Sequence, residues 1–218
     1  MNTREKRREH LVAEATATSG FLSVTEGLAL CSTARRAASE STAPLVEIGA
    51  YLGRSTLFLA AGIAAAGPTS VLYSVDHHHG SEEMQSGWPD HDASLVDEYT
   101  GRMDSLLRWR RRIEECAADD IVIGVVGDSA TIARHWVTPL SLVFIDGGHG
   151  EDVEWADFNG WAPKLMPGGF LLIHDVFPDP KDGGRPPFDC YQEAISSGRF
   201  EEDASSPIES LRVLVARS

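Results

Sequence analysis

The stretch Val46-Glu47-Ile48-Gly49-Ala50-Tyr51-Leu52-Gly53-Arg54-Ser55-Thr56 decides the fold, because it joins a short apolar strand, a glycine turn and the start of a helix. Gly49 and Gly53 carry no Cβ, so the backbone can approach a ligand closely at this turn. Ser55 and Thr56 place hydroxyl groups at the beginning of the helix, where free backbone N–H groups favour an anionic ligand group. The pattern predicts a ligand site at the carboxyl end of the strand.

On the carboxyl side of this stretch, short runs rich in Val, Ile and Leu alternate with helical segments. Continuous apolar runs of this kind are typical of parallel strands buried on both faces. We predict strands at Pro44–Ile48, Val71–Asp76, Ile121–Val126, Leu140–Asp146, Gly169–Asp175 and Leu211–Ala216. Helices are predicted at about 54–66, 93–117, 129–135, 151–165 and 188–196. The alternation indicates an α/β fold with a Rossmann-like, doubly wound, mostly parallel seven-stranded sheet.

The chain divides at the point where this alternation begins. Residues 1–40 are predicted to be an N-terminal helical segment that packs on the core, and residues 41–218 the α/β domain. The first N-terminal helix lies around Glu5–Ala17, and Ser23 or Thr25 could cap the second. In the helix predicted over 151–165, residues at helical spacing should face the sheet: Trp155, Phe158, Ala162 and Leu165.

Composition excludes several classes of protein. The 218 residues carry 19 Lys and Arg against 33 Asp and Glu, a formal charge of -14, which would repel nucleic acid. The basic start, Met1 to His10, is not followed by an apolar secretory core, and Leu57 to Gly67 is too short to span a bilayer. Three widely spaced cysteines form no metal-binding pair and suit a reducing compartment. We expect a cytoplasmic protein without membrane partners, and the sequence leaves a homodimer open.

Polar residues follow each predicted strand, and the carboxyl ends of parallel strands meet at one edge where ligands bind. Asp76 is positioned to accept hydrogen bonds from two ribose hydroxyls, and Asp128 or Ser129 could read an adenine edge. A Gly-x-x-x-Gly pair also occurs in purely structural turns, but three positions at this edge agree on a nucleoside ligand. The GxGxxG spacing of a dinucleotide site is absent.

Several motifs resemble one enzyme family. Val46 to Ser55 resembles motif I of the class I methyltransferases that depend on S-adenosylmethionine (SAM), and Ser74-Val75-Asp76 resembles the acidic strand that follows it. Phe144 to His149 and Leu165 to Phe170 resemble motifs of the branch that contains catechol-type and macrolide-sugar O-methyltransferases. The likeness covers residues 24–217 and makes 41–218 a SAM-dependent methyltransferase domain.

This resemblance implies a set of SAM-binding residues. It implies Glu47 near the methionine end of the cofactor, Gly49 beneath it and Ser55 on its carboxylate. It also implies Asp76 on the ribose and Asp128 or Ser129 at the adenine. Further residues expected near the cofactor are Thr25, His77 and Asp146, and Thr25-Glu26-Gly27 resembles a segment that lies over the cofactor in this branch.

The later strand ends carry groups suited to the reaction. Asp146, His174 and Asp175 are predicted metal ligands, because carboxylate oxygens suit Mg2+ and an imidazole favours Mn2+. His149 is the predicted general base, since an imidazole titrates near neutral pH. Catechol-type relatives have Lys at the position of His149 and Asp-Asn at that of His174-Asp175. The structural alternatives are a helix-capping role for Asp146 and a hydrogen-bonded strand end for His174.

Three further segments are candidates for acceptor contact. Gly80–Asp92, which includes Trp88 and Pro89, is predicted to be a lid, and Pro178–Pro187 a second wall with Arg185 or Asp189 near the acceptor. His77–His79 cannot all bind one ion, because consecutive side chains point in different directions. The arginines around Trp109 are expected to form a solvated helix face paired with Glu114 and Glu115: Arg108, Arg110, Arg111 and Arg112.

The sequence therefore predicts an O-methyltransferase that moves the methyl group of SAM to a small hydroxylated acceptor. Its polar walls favour a sugar, and its general likeness is greatest to sugar-modifying members, including those of methylmannose polysaccharide synthesis. Two alternatives remain open: an NAD-dependent dehydrogenase on the same sheet, and a SAM-binding protein without catalytic activity. The missing GxGxxG spacing argues against the dehydrogenase.

Overall fold

The computed structural model describes residues 2–67, 70–88, 90–179 and 181–217. Met1 and Ser218, the outer ends of the two predicted segments, therefore lie outside the described residues. So do Pro89 of the predicted lid and Pro180 of the predicted second wall.

Seven strands of the described chain form one sheet in the order β3-β2-β1-β4-β5-β7-β6. The strands are β1 Leu45–Ile48, β2 Leu72–Asp76, β3 Val122–Val126, β4 Leu140–Ile145, β5 Leu165–Ile173, β6 Phe200–Glu202 and β7 Arg212–Ala216. The helices are α1 Thr3–Ala17, α2 Val24–Glu40, α3 Arg54–Ala66, α4 Leu106–Glu115, α5 Ser129–His135, α6 Glu151–Trp161 and α7 Pro186–Ser196. Strands β1 to β5 run parallel, and β7 is antiparallel to both β5 and β6. The predicted Rossmann-like, mostly parallel seven-stranded sheet is confirmed.

The predicted strand Gly169–Asp175 needs correction at both ends, and one strand was missed. Strand β5 begins at Leu165, four residues before the predicted start. It ends at Ile173, which leaves His174 and Asp175 in the loop beyond the strand. The short edge strand β6 was not predicted, because its three residues, Phe-Glu-Glu, are too few to show a pattern.

The helix predicted over 93–117 is wrong in its first half. The chain makes a 3-10 turn at Ala93–Leu95, and α4 starts only at Leu106. Between them, the Asp97 carboxylate accepts hydrogen bonds from the backbone N–H and the hydroxyl of Thr100. Gly101 then adopts a φ of +66°. The Asp97 side chain takes the place of a backbone hydrogen-bond partner, and Gly101 is left-handed. Together they prevent a helix from running through this point.

The core lies on both faces of the sheet. One apolar cluster joins α1, α2 and α3 to the sheet through residues such as Leu11, Leu30 and Phe58, all fully buried. Helices α2 and α3 approach closely, since a Cβ on Gly62 would lie 2.3 Å from the carbonyl oxygen of Cys31. The other cluster packs α6 and α7 against the opposite face, with Trp161 at its centre. No helix in the described part of the chain is long and apolar enough to cross a membrane.

The stripe predicted for helix α6 packs against the sheet, and two acids join it. All four predicted residues belong to the second cluster or pack against it: Trp155, Phe158, Ala162 and Leu165. Trp155 is half-buried and packs edge-to-face on Phe158, with ring centroids 5.9 Å apart. Glu154 and Asp157 are also buried on α6, which hydrophobicity alone does not predict.

Candidate active site

A cavity of about 420 Å³ opens at the carboxyl ends of β1 to β4. Its walls come from the loops that follow these strands, from the start of α6, and from residues 19–22 before α2. Predicted site residues that line it are Gly49, Ser55, Asp76, His77, Asp128, Ser129, Asp146 and His149. One continuous space therefore connects the predicted cofactor end with the predicted reaction end.

The glycine turn after β1 forms the floor of this cavity. Gly49 has a φ of +85°, and a Cβ there would lie 1.9 Å from the carbonyl oxygen of Asp146. The Asp76 carboxylate accepts hydrogen bonds from the backbone N–H groups of Ala50 (2.9 Å), Tyr51 (3.0 Å) and His78 (2.7 Å). Asp76 thus holds the turn and still lines the cavity, where its lone pairs can reach a ligand hydroxyl.

Glu47 is fully buried behind the turn and does not form part of the cavity wall. Its Oε2 accepts hydrogen bonds from the hydroxyls of Thr56 and Ser74, each at 2.7 Å. Burial raises the pKa of Glu47 to about 7, although these hydroxyls favour its ionised form. The structure therefore puts the predicted methionine-end residue one layer beneath the wall, while Ser55 lies in the wall itself.

Asp128 and Ser129 line the cavity, but their side chains already have partners. The Asp128 carboxylate caps α5 by accepting from the backbone N–H of Thr131 at 2.7 Å. The Ser129 hydroxyl donates to Asp157 Oδ1 and accepts from Trp161 Nε1 at 2.9 Å. These bonds tie α5 to α6 beside the end of β3.

The histidines after β2 do not converge on an ion, as expected. His78 is buried and its Nδ1 lies 2.8 Å from the hydroxyl of Ser105. His79 Nδ1 lies 2.9 Å from the carbonyl oxygen of Met103. His77 stacks against His79 and lines the cavity next to Asp76, where it was predicted to meet the cofactor.

Thr25, a predicted cofactor residue, lies exposed on α2 and does not line the cavity. The helix begins one residue earlier, because Ser23 is its N-cap and forms a capping box with Glu26. The chain before the cap supplies the wall instead, through Phe21 and Leu22. Glu26, the neighbour of Thr25, reaches the end of β5, where it contacts His174.

His174 is enclosed by three carboxylates at the end of β5. Its Nδ1 lies 3.0 Å from Asp146 Oδ1 and 3.3 Å from Asp175 Oδ2, and its Nε2 lies 3.2 Å from Glu26 Oε2. Burial by itself would lower the pKa of His174, but the three carboxylates raise it well above its usual value. Burial by itself would raise the pKa of Glu26. His174 and the hydrogen bonds from Ser210 and Ser23 instead lower it to about 2. His174 is a cation whose two ring nitrogens are both engaged.

His149 lies on the loop after β4 and faces two carboxylates. Its Nε2 is 3.0 Å from Asp175 Oδ2, and its Nδ1 is 3.4 Å from Glu83 Oε1. The hydrogen bond to Asp175 raises the pKa of His149 to about 9, against the opposing effect of burial. Both histidines hold the pKa of Asp175 well below its ordinary value, although burial acts the other way.

The group that could hold a metal ion differs from the predicted one. Ligand atoms of Asp146, His149 and Asp175 lie within 4.8 Å of one another. His174 lies outside this group, and its two nitrogens are 3.0 to 3.3 Å from three carboxylates. Its role as a metal ligand stays a prediction, beside the structural alternative of a hydrogen-bonded strand end. The hydrogen bonds to His174 and His149 use Asp146 Oδ1 and Asp175 Oδ2, so the other oxygen of each carboxylate remains for an ion.

The two predicted acceptor segments have different places in the structure. Ser81, Glu82, Glu83 and Met84 of the predicted lid line the cavity, whereas Trp88 is exposed outside it. None of the described residues of the predicted second wall, Pro178–Pro187, lines the cavity. Arg185 and Asp189 instead form an exposed pair at 2.7 Å. Arg110 pairs with Glu114 on the α4 surface, as expected of a solvated helix face.

Three residues of the site were missed from the sequence: Glu26, Glu83 and Asp157. Glu26 and Glu83 are single acids in an acidic protein, and no spacing marks them. Asp157 could have been found from the sequence, because its spacing places it on the same helix face as Phe158 and Trp161, the face that packs against the sheet. An acid on the buried face of a helix needs a partner or a function.

Comparison with known families agrees with this architecture. The family described as "Methyltransferase domain" matches residues 46–176, from the second residue of β1 to just beyond Asp175. The chain belongs to this family. The matched span of this methyltransferase domain contains the glycine turn, Asp76, His149 and the pair His174-Asp175.

Solved structures with the same fold include several O-methyltransferases. NovP has a TM-score of 0.66 and 17% identity, over 89% of this chain and 80% of its own. The O-methyltransferase from Bacillus cereus, solved with S-adenosylhomocysteine (SAH), has a TM-score of 0.60 and 18% identity, over 100% and 92%. TomG from Streptomyces achromogenes, solved with SAM, has a TM-score of 0.59 and 15% identity, over 100% and 91%. At these identities the similarity concerns the fold.

Proposed function

We propose that this protein is a SAM-dependent O-methyltransferase that methylates a hydroxyl of a small polar acceptor, a sugar in the first instance. The observation that carries the proposal is the cavity that joins the Gly49 turn to His149, whose Nε2 lies 3.0 Å from Asp175 Oδ2. Membership of the methyltransferase family and the likeness to O-methyltransferases solved with SAM and SAH support it.

In this proposal the early strand ends hold the cofactor. The Gly49 turn offers bare backbone to the methionine portion, and Ser55 offers a hydroxyl to its carboxylate. Asp76 accepts hydrogen bonds from the ribose hydroxyls, with His77 beside it. The sulfonium end would then point toward Asp146, whose carbonyl oxygen already touches the Gly49 turn.

The later strand ends hold the acceptor and a divalent cation, Mg2+ or Mn2+. Asp146 and Asp175 supply hard oxygen ligands, and His149 lies close enough to complete the set or to act beside it. A bound cation would lower the pKa of an acceptor hydroxyl and would offset the carboxylate charge that keeps the proton on His149.

His149 is the proposed general base. In methyl transfer the sulfur–carbon bond breaks as the oxygen–carbon bond forms, and the acceptor proton has to leave. His149 can receive it once Asp175 no longer holds the imidazolium, and Glu83 keeps the ring oriented through Nδ1. The products are the methyl ether, SAH and the protonated base.

The wall composition supports a polar acceptor. Ser81, Glu82 and Glu83 from the lid and Asp152 from α6 surround the space near His149. These groups can accept hydrogen bonds from several hydroxyls at once, as a sugar requires. An NAD-dependent dehydrogenase is not favoured, because the turn lacks GxGxxG and the family is one of methyltransferases.

Turnover with methyl-labelled SAM tests the proposal. We expect labelled product from at least one member of a library of sugars and other hydroxylated acceptors, and loss of product when EDTA removes divalent ions. His149→Ala should lower kcat about 100-fold or more and leave SAM affinity within about twofold. The control is His135→Ala, which removes an exposed histidine at the end of α5.

Three results would count against parts of the proposal. Tight binding of NAD with no binding of SAM would remove the methyltransferase function. Binding of SAM without turnover of any acceptor would favour the catalytically inactive alternative. Full activity of His149→Ala would remove the base, and activity that is indifferent to EDTA would remove the cation.

A further inference from the structure

Of the two residues first expected to read the adenine, Ser129 has no free donor. Its hydroxyl has one hydrogen, which goes to Asp157, and it also accepts from Trp161 Nε1. Asp128 caps α5 through Oδ1 alone and is exposed to solvent. The buried hydrogen-bonding group beside them is the carboxylate of Asp157.

Asp157 combines burial with access to the cavity. Its side chain projects from the inward face of α6, is only 3% exposed, and lines the cavity beside Ser129. Oδ1 accepts the Ser129 hydroxyl, and no hydrogen bond from the described residues reaches Oδ2. Burial raises the pKa of Asp157 to about 6, so that the group is ionised and a pure acceptor at pH 7.5.

Gly147 keeps Oδ2 within reach of a ligand. A Cβ at Gly147 would lie 3.0 Å from Asp157 Oδ2, which is closer than nearly all real contacts of this kind. Any side chain at this position would therefore cover the oxygen. Gly147 and Asp157 both line the cavity, so the absence of a side chain opens a window from the cavity onto one lone carboxylate oxygen.

We propose that Asp157 is a specificity-determining residue of the cofactor site, whose Oδ2 accepts a hydrogen bond from the exocyclic amino group of adenine through the window at Gly147. Ser129, whose hydroxyl also accepts from Trp161 Nε1, fixes the orientation of the carboxylate by donating to Oδ1. This inference rests on the SAM-binding part of the proposed function and adds the residue that distinguishes an amino-purine from an oxo-purine.

A purely structural role for Asp157 would require only one of its carboxylate oxygens. A clamp between α5 and α6 needs only the Ser129–Asp157 hydrogen bond and the Trp161 contact. It gives no reason for a second oxygen to face an opening in the wall, and it predicts no discrimination between bases.

Calorimetry with SAH and with S-inosylhomocysteine, in which an oxo group replaces the adenine amino group, separates the two roles. We expect the wild-type protein to prefer SAH by about 10- to 100-fold, because the oxo-purine would face the carboxylate with an acceptor. In Asp157→Asn, Ser129 would still donate to the amide oxygen, which turns the amide NH2 toward the ligand. SAH should then bind about 10-fold more weakly, and the preference should vanish or invert.

Two further variants complete the design. Glu151→Gln makes the same change of charge on the same helix at an exposed position outside the cavity wall, and it should keep the wild-type preference. Gly147→Ala leaves Asp157 in place but closes the window, so the preference should fall there as well. Circular dichroism and urea unfolding of each variant check that it folds.

The outcomes are distinct. An unchanged preference in Asp157→Asn, or equal weakening of both ligands, would overturn the role of Asp157 and leave the clamp. A wild-type protein that binds both ligands equally would overturn it too, while the proposed function stands. If the wild-type protein binds neither ligand, both the cofactor assignment and this inference are contradicted.

Discussion

Buried carboxyl groups have their pKa values shifted in opposite directions at the two halves of the cavity edge, the cofactor half and the reaction half. At the cofactor half, Glu47 and Asp157 are partnered by hydroxyls, and burial raises their pKa values to about 7 and about 6. At the reaction half, Glu26 and Asp175 face imidazoles, which lower their pKa values despite burial. A hydroxyl can stabilise a carboxylate only by hydrogen bonding, whereas an imidazolium also cancels its charge.

This difference explains how so acidic a chain gathers carboxylates at one edge. His174 lies among Glu26, Asp146 and Asp175, and His149 bridges Asp175 and Glu83. The reaction half is thus a network in which imidazoles alternate with carboxylates, a composition that suits the binding of a cation. In the cofactor half the carboxylates are held by neutral donors, backbone N–H groups and hydroxyls, rather than by cations. The two halves meet where Gly49 touches Asp146.

The largest effect is expected at that meeting point. Gly49→Ala would put a Cβ 1.9 Å from the Asp146 carbonyl oxygen at a φ of +85°, and should cost about 4 kcal/mol or more. SAH binding should be lost in any folded fraction, because both halves shift. Gly101→Ala is the matched control, since it has a φ of +66° and nothing within 4 Å. It should cost about 1 kcal/mol; equal costs in urea unfolding would show that the halves are not joined at Gly49.

A smaller effect is expected for His174→Ala, which leaves three carboxylates without their cation. We expect a loss of about 3 kcal/mol in urea unfolding at pH 7. His78→Ala serves for comparison, because His78 is equally buried but is hydrogen-bonded to the Ser105 hydroxyl. A cost at His78 as large as that at His174 would contradict the charge-network account of the reaction half.

An effect graded by pH, and the smallest for a single step of one pH unit, is expected at Glu154. Burial raises its pKa to about 8, and its Oε1 has no hydrogen-bond partner in the described chain. Between about pH 4.5 and 8 the folded protein keeps a proton that the unfolded chain releases, so wild-type stability should fall as pH rises. Glu154→Gln removes this loss, and its stability relative to wild type should rise by about 1 kcal/mol per pH unit in that window. A pH-independent difference would show that Glu154 is ionised in the fold.

Parts of this site could be predicted and parts could not. The glycine turn and the acids after β2 to β4 carry local signals, because strand ends and turns are marked by short-range sequence. The contact of His174 with Glu26 could not be predicted, since Glu26 lies 148 residues away on α2. The start of α4 was missed because a single Asp97–Gly101 turn outweighed a helical pattern.

The sequence by itself determined the α/β class, the order of strands and helices, the glycine turn and the edge at which polar groups gather. Each of these follows from periodicity, apolar runs and backbone conformations that act over a few residues. Only the tertiary structure decided that His149 joins Asp146 and Asp175, that His174 turns to Glu26, and that Asp157 faces a window at Gly147. Partnerships between buried charges depend on distances across separate elements, and those distances exist only once the sheet and its helices are packed.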